Sequence, residues 1–280
     1  MGWKNKYKKT MKKFLIVITI TLLVLASPLH GKEHCIQIIL SQSLRPYWET
    51  AKGIKESLKD FKIKMCLVEN YQSQTCTKVA VGLKAAQIVK EAKICILLLY
   101  PTITKEPSNC KCGIFLEIPG KIYLKTIKKL TPWAQSIGII YSDPSIESYA
   151  ADIESTLIKN NLKAKKIRIS SIKELNKILE SSIDIIIPIP DPIFSTEAVI
   201  KTLVRYFTAQ RKIVIGYNNY FTEIGAPISI ITDYRKTGKK TAELIYLAIE
   251  SGKCTWEPAV HEIKVNQEIL KRLVRKDEPE

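Results

Sequence analysis

Thr237-Gly238-Lys239-Lys240-Thr241 is the stretch that most suggests phosphate chemistry, and it fails the test. It lacks the upstream Gly and the Gly-Lys-Ser/Thr order with which a P-loop wraps phosphates. No Gly-x-Gly-x-x-Gly follows the first apolar run, so dinucleotide binding has no fingerprint here. The chain has three His. His30 and His34 sit beside an N-terminal apolar segment, which leaves His261 in a terminal strand, a structural position more often than a basic one. That is too little for a Ser-His-Asp triad or a His-based zinc site. Two acids could still work together, but no carboxylate pair stands out by spacing. Cys110-Lys111-Cys112 has no companion His or second Cys pair, so a cystine or free thiols outweigh a metal. The expectation is a protein without catalytic residues, metal or cofactor: not an enzyme.

What recurs instead is a polar or aromatic cluster after each apolar run. The clusters are Ser41-Gln42-Ser43, Glu69-Asn70-Tyr71, Tyr100-Pro101-Thr102 and Tyr141-Ser142-Asp143. Further along come Asp191, Tyr217-Asn218-Asn219-Tyr220 and Thr232-Asp233-Tyr234. Ser, Asn and Asp can fix polar ligand groups, and Tyr adds apolar area with a polar tip. Any one of them is better explained as a turn residue or helix cap. Seven at the same end of two sheets point to a cleft.

The elements that must position these clusters alternate. Strand-like CIQIIL (35–40) precedes a helix with Tyr47, Ala51, Ile54, Leu58 and Phe61 on one face. KIKMCLV (62–68) leads to a helix carrying Val79, Leu83, Ala86 and Val89; ICILLLY (94–100) and GIFLEI (113–118) are further strands. The pattern restarts with SIGIIY (136–141), a helix through Tyr149, Ile153 and Leu157, and KIRI (166–169). Ser171 and Glu174 have capping-box spacing. IDIIIPIP (183–190), a helix over 199–209, KIVIGY (212–217), PISIITDY (227–234), a helix over 235–250 and AVHEIKV (259–265) follow, then a polar tail. The fold class expected is α/β, two doubly wound parallel-sheet lobes with an interlobe cleft.

Charge is the remaining oddity. The 280 residues hold 44 Lys and Arg against 27 Asp and Glu, a formal +17. Six of those Lys lie in residues 1–13, before an apolar run at 14–26 that is about 20 Å long as a helix, short of a ~30 Å hydrocarbon core. A basic head, a short apolar run and Val24-Leu25-Ala26 describe a secretory signal peptide over 1–26, cut after Ala26; an uncleaved anchor is the alternative. Its removal leaves 38 basic against 27 acidic residues, spread over helices without interleaved aromatics, so no nucleic-acid partner is expected. Seven Cys in an exported chain leave an odd thiol. Cys66 and Cys95 read as buried strand residues, and Cys76, Cys110 and Cys112 as loop residues suited to a disulfide.

From about Leu130 the sequence resembles the substrate-binding proteins of ABC transporters with the type I periplasmic binding protein fold, the group related to tryptophan and tyrosine receptors. The similar stretches are IGIIYSDPS (137–145), IDIIIPIPDP (183–192), KIVIGYNNYFTEIGAPISIITDYRKTGKKTAELI (212–245), SGKCTWEPAV and VNQEILKRL (265–273). The resemblance implies an exported, monomeric receptor in the periplasm or another extracytoplasmic space. It would close on a small-molecule solute, an amino acid or other planar organic compound, and present it to an ABC permease in the inner membrane. It implies three crossings between lobes, placed near 119–135, 226–232 and 252–258. Lobe 1 is then 32–118 plus about 231–255, and lobe 2 is 119–230 plus about 256–274. By position Ser41, Gln42 and Ser43 form the first-lobe wall, with Tyr100 at another strand end. Tyr141, Asp191, Tyr217 and Asn218 line the second lobe, and Asp233 sits near the hinge. Two other readings stay open: an exported sensor or accessory binding module without a transport role, and a hydrolytic enzyme, disfavoured by its missing nucleophile and base.

Overall fold

Strand β1 (Cys35–Leu40) shows why these apolar runs become central strands. Ile36, Ile38 and Leu40 are fully buried on one face and Ile39 on the other. A strand covered on both faces reads as an unbroken apolar run. The computed structural model describes residues 34–90, 92, 94–97, 110–176 and 182–274. The signal segment expected at 1–26 lies outside them. Among the described residues no helix is long and apolar enough to cross a membrane.

Beside β1 run helix α1 (Arg45–Ser57), β2 (Lys62–Leu67), β3 (Thr77–Val81), α2 (Leu83–Ile88), β4 (Ile94–Leu97) and β5 (Cys112–Phe115). Then come α3 (Gly120–Leu130), β6 (Ser136–Tyr141), α4 (Glu147–Ile158), β7 (Lys163–Arg168), β8 (Ile185–Pro188), α5 (Glu197–Ala209) and β9 (Ile213–Gly216). The chain finishes with α6 (Asn219–Glu223), β10 (Ile228–Thr232), α7 (Tyr234–Glu250), β11 (Trp256–Pro258), β12 (His261–Val265) and α8 (Gln267–Val274). They form two six-stranded sheets, ordered β11-β5-β4-β3-β1-β2 and β12-β10-β9-β8-β6-β7. All pairings are parallel except β10 with the edge strand β12.

Each sheet has helices on both faces. In the second, Ile137 and Ile139 of β6, Ile185 and Ile187 of β8, and Ile213 and Ile215 of β9 pack with Tyr123 and Ile127 of α3, Ile153 of α4 and Leu270 of α8. The intervening Ile140, Ile186 and Val214 face Leu203 and Phe207 of α5 and Phe221 of α6. In the first sheet α1 and α7 cover one face together. They cross backbone to backbone at Gly53 and Gly238: a Cβ on Gly53 would strike the Arg235 carbonyl, and one on Gly238 the Thr50 carbonyl. Arg235 clamps the pair, bonding to Glu49 at 2.9 Å and to Glu56.

Three passages join the lobes. Residues 116–119 lead from β5 to α3, Asp233 separates β10 from α7, and 259–260 separate β11 from β12. They are bonded to one another: Asp233 N–H donates to Val260 O at 2.9 Å, and Val260 N–H to Thr237 Oγ1 at 3.1 Å. His261 Nε2 lies 3.3 Å from Leu116 O.

The structure departs from the sequence expectation at several elements. Thr77–Val81 is a strand beside β1, not the start of a helix, because Gly82 at φ +96° breaks it from α2. Leu116 to Ile118 are crossing, not strand, and the other two crossings also fall a few residues from their expected places. β11, expected in the second lobe, pairs with β5, and β10, expected to straddle the lobes, lies wholly in the second sheet. The polar tail is an amphipathic helix, α8, with Leu270 and Leu273 buried. Ser171 makes no side-chain cap, although Glu174 does accept from Ser170 N–H at 3.2 Å. Cys95 is bonded to Cys110 rather than being a simple apolar residue; Cys35 pairs with Cys76 and Cys112 with Cys254, leaving Cys66 as the thiol.

Candidate functional site

A cavity of about 330 Å³ lies where the crossings meet the strand ends of the second sheet. Leu116, Glu117 and Ile118 contribute from the first crossing; Thr232 and Tyr234 flank the second. The second lobe supplies Pro190, Asp191, Pro192, Tyr217 and Asn218. A mainly apolar wall with a few polar groups is the usual composition of a small-molecule site.

The first crossing is fixed on both sides of Glu117. Leu116 O faces His261, and the Tyr149 hydroxyl accepts from Ile118 N–H and donates to Ile118 O, both at 3.1 Å. Burial holds the Tyr149 hydroxyl well above the ordinary phenol range. Burial likewise raises Tyr217, with the Asp191 charge adding to it, and raises Tyr234, so both rings on the wall are neutral phenols. Tyr217 is tilted against Phe221 with ring centroids 4.9 Å apart, and its hydroxyl donates to Phe194 O at 3.3 Å.

Asp191 works mainly inward. Its carboxylate accepts from Ser142 N–H at 2.6 Å, Asp143 N–H at 2.9 Å, Ile193 N–H at 2.8 Å and the Ser142 hydroxyl. It ties the loop after β6 to the loop after β8. Asn218 lines the cavity and also caps α6, accepting from Phe221 N–H at 3.3 Å.

Asp191, Tyr217 and Asn218 are thus brought together at the cavity, and the other expected residues among those described are not. Ser41 is buried and accepts from Ala85 N–H at 2.8 Å, capping the turn into α2. Gln42 is exposed, and Ser43 accepts from Trp48 Nε1 at 3.2 Å. Tyr141 points into the second-lobe core. Asp233 caps α7, accepting from Lys236 N–H at 2.9 Å and pairing with the Lys236 ammonium at 2.9 Å. Tyr100 lies outside the described residues. Glu117, Leu116, Ile118, Thr232 and Tyr234 were missed as lining. Thr232 and Tyr234 stand in a quoted cluster, but nothing local marks the Leu-Glu-Ile of 116–118, which looks like strand until the crossing is known.

A family described as ABC transporter substrate binding protein matches residues 104–274, more than half the chain. The chain belongs to this family. The match reaches further upstream than the resemblance from Leu130 implied. No curated protein matches the sequence. Among solved structures, a ligand-free, open substrate-binding protein with adhesive properties from Clostridium difficile is 18% identical, with TM-score 0.67, covering 88% of this chain and 96% of that one. An ABC domain in complex with L-Trp from Streptococcus pneumonia is also 18% identical, with TM-score 0.55 and coverage of 86% and 94%. A periplasmic ribose ABC transporter from Conexibacter woesei is 10% identical, with TM-score 0.52 and coverage of 88% and 95%. Together with the two parallel sheets they show the type I periplasmic binding protein fold. The substrate-binding family is one of binding proteins rather than enzymes.

Proposed function

We propose that the protein is the extracytoplasmic solute-binding component of an ABC importer, closing its lobes on a small organic solute held at the hinge cavity. The observation that carries this reading is that one cavity of about 330 Å³ touches two of the three crossings and the second-lobe strand ends. A solute there gains contacts as the lobes close, and its differential affinity for the closed form drives closure. Backbone rotations at 116–119, 233 and 259–260 absorb the motion. No bond is made or broken.

On this reading residues 1–26 are the export signal or a retained anchor, and the protein acts as a monomer facing a permease. Lobe 1 is the 35–115 segment with α7 and β11, and lobe 2 is the 119–232 segment with β12 and α8. The Tyr217 and Tyr234 rings suit a planar solute, and a structural neighbour holding L-Trp makes aromatic solutes the first to try. A thermal-shift screen of the exported protein against amino acids, aromatic amines, nucleobases and sugars is the test. A solute should raise the melting temperature of the wild type and fail to raise that of Tyr217→Ala, whose own melting point is lower because the ring also packs against Phe221. No stabilisation by any class, or a shift unaffected by Tyr217→Ala, would remove the cavity from the function.

A further inference from the structure

The two ends of the second sheet differ in charge. Beside the cavity, where the strands finish, Asp143, Glu147, Asp191 and Glu197 stand at the starts of loops and helices. At the other end the strands begin and α3, α4 and α5 finish. Four segments meet there: 125–135, 158–163, 182–184 and 210–213. Hydrogen bonds join them into one surface. Lys128 Nζ donates to Asn160 Oδ1 at 3.3 Å, and Lys163 N–H to Gln135 O at 2.8 Å. Asp184 N–H donates to Ser136 O at 2.9 Å, and Lys212 Nζ to Ile183 O at 2.7 Å. These segments hold seven Lys and Arg and one acid, Asp184. The sequence of 177–181 adds one Lys and one Glu, which leaves the sign unchanged.

The one acid is engaged by the fold. Asp184 Oδ2 accepts from Gln135 N–H at 2.9 Å, and from Ser136 N–H and the Ser136 hydroxyl at 3.0 Å. Lys128, Lys129, Lys159, Lys163 and Arg211 are exposed. Cations near helix C-termini offset the helix dipole, which accounts for some of these Lys on structural grounds. Three features are left over. Ile158, beside Lys159 at the end of α4, is 52% exposed. Arg211 follows α5 at φ +57°, a left-handed position where Gly or Asn is the low-cost residue; the corresponding residue after α4 is Asn161. A cavity of about 220 Å³ opens among the same segments, lined by Trp133, Ser182, Ile183, Asp184, Gln210, Arg211 and Lys212. An apolar tip within a ring of Lys and Arg suits an anionic bilayer, the cations meeting headgroups and the tip entering between them.

We propose that this end of the second lobe docks on a bilayer carrying anionic phospholipids, with Arg211 and the cavity beside it receiving a headgroup phosphate. An acidic protein face is the other occupant the charge would allow. The exposed isoleucine and a cavity with room for a phosphate group favour lipid. The surface lies at the opposite end of the sheet from the hinge cavity, so solute binding neither supports nor removes this inference.

Co-sedimentation of the exported protein with phosphatidylcholine vesicles, with and without phosphatidylglycerol, tests it. Wild type should pellet with the mixed vesicles, stay free with phosphatidylcholine alone and be released by high salt. Replacing Lys128, Lys129, Lys159 and Lys163 together by Gln should weaken binding about 100-fold or more, at about fivefold per charge. Arg211→Gln and Ile158→Ser should each weaken it about fivefold. Lys55, Lys121, Lys173 and Lys201 are exposed elsewhere, and changing those four to Gln should leave binding within about fivefold of wild type. Equal binding to both kinds of vesicle overturns the proposal. So does a control variant as weak as the first, because the charge would then act diffusely. If wild type ignores the mixed vesicles the bilayer proposal is wrong, and titration with inorganic phosphate and with polyglutamate then separates a free-anion site from a protein-docking face.

Discussion

Asp191 looks like a ligand contact in the sequence and turns out to be a brace. It is one of several cluster residues whose side chains are spent on the backbone around them: Ser41 on Ala85, Asp233 on Lys236, Asn218 on Phe221. Ser, Asn and Asp occur at strand ends because chain reversals there leave N–H groups that need acceptors. The same chemistry would bind a solute, so residue type alone could not separate the two uses. Asp191→Ala should therefore act mainly on stability. Losing an acceptor for three partly buried N–H groups should lower the unfolding free energy by about 2–4 kcal/mol, read from urea denaturation. A cost under about 1 kcal/mol would mean that the two loops hold together without it. Glu117 is the converse case. Its place on the wall depends on where the chain leaves the first sheet, which no neighbouring residue announces.

At the scale of elements, the central strands were legible because burial on both faces leaves an apolar run with sharp ends. β1 and β6 begin and end where their hexapeptides do. Other strands were harder. β3 was hidden because Val79 also fits a helical spacing with Leu83, Ala86 and Val89, and only the partner strand resolves the ambiguity. β11 is three residues long and is a strand by virtue of β5 alone. Of the four edge strands, β2 and β7 carry exposed Lys at alternate positions, which discourages pairing with another chain. The Gly53–Gly238 crossing lets α1 and α7 share one face of the first sheet. Gly238→Ala should cost about 1–3 kcal/mol by forcing the helices apart. Adding Gly53→Ala should cost less than the sum of the two single changes, because both relieve the same contact. Thermal melts of the two single variants and the double variant would check this; unchanged melting points would mean that the helices have room to spare.

For the whole molecule, the doubled α/β plan was readable from the restart of the pattern at Ser136, but the assignment of segments to lobes was not. Lobe membership is decided at three short passages, and a shift of a few residues there moves a whole element across. His261 stands at that junction. Burial lowers its pKa, only partly offset by the Leu116 and Ala259 carbonyls, so the folded form takes up a proton less readily than the unfolded chain. Its contribution is present above about pH 6.5 and is lost as pH falls through that value toward the folded pKa. Wild-type protein should thus lose more stability than His261→Gln between pH 7.5 and 5; parallel melting curves would contradict this. The pairing of Cys112 with Cys254, across 142 residues, has a consequence for how the molecule is made. In chain order Cys112 comes two positions after Cys110 and soon after Cys95, long before its own partner. The chain from β6 through α7 stands between the two cysteines. The nearer sulfurs are the wrong partners, so any bond that Cys112 forms early with Cys95 or Cys110 must be exchanged before the native pairing is reached.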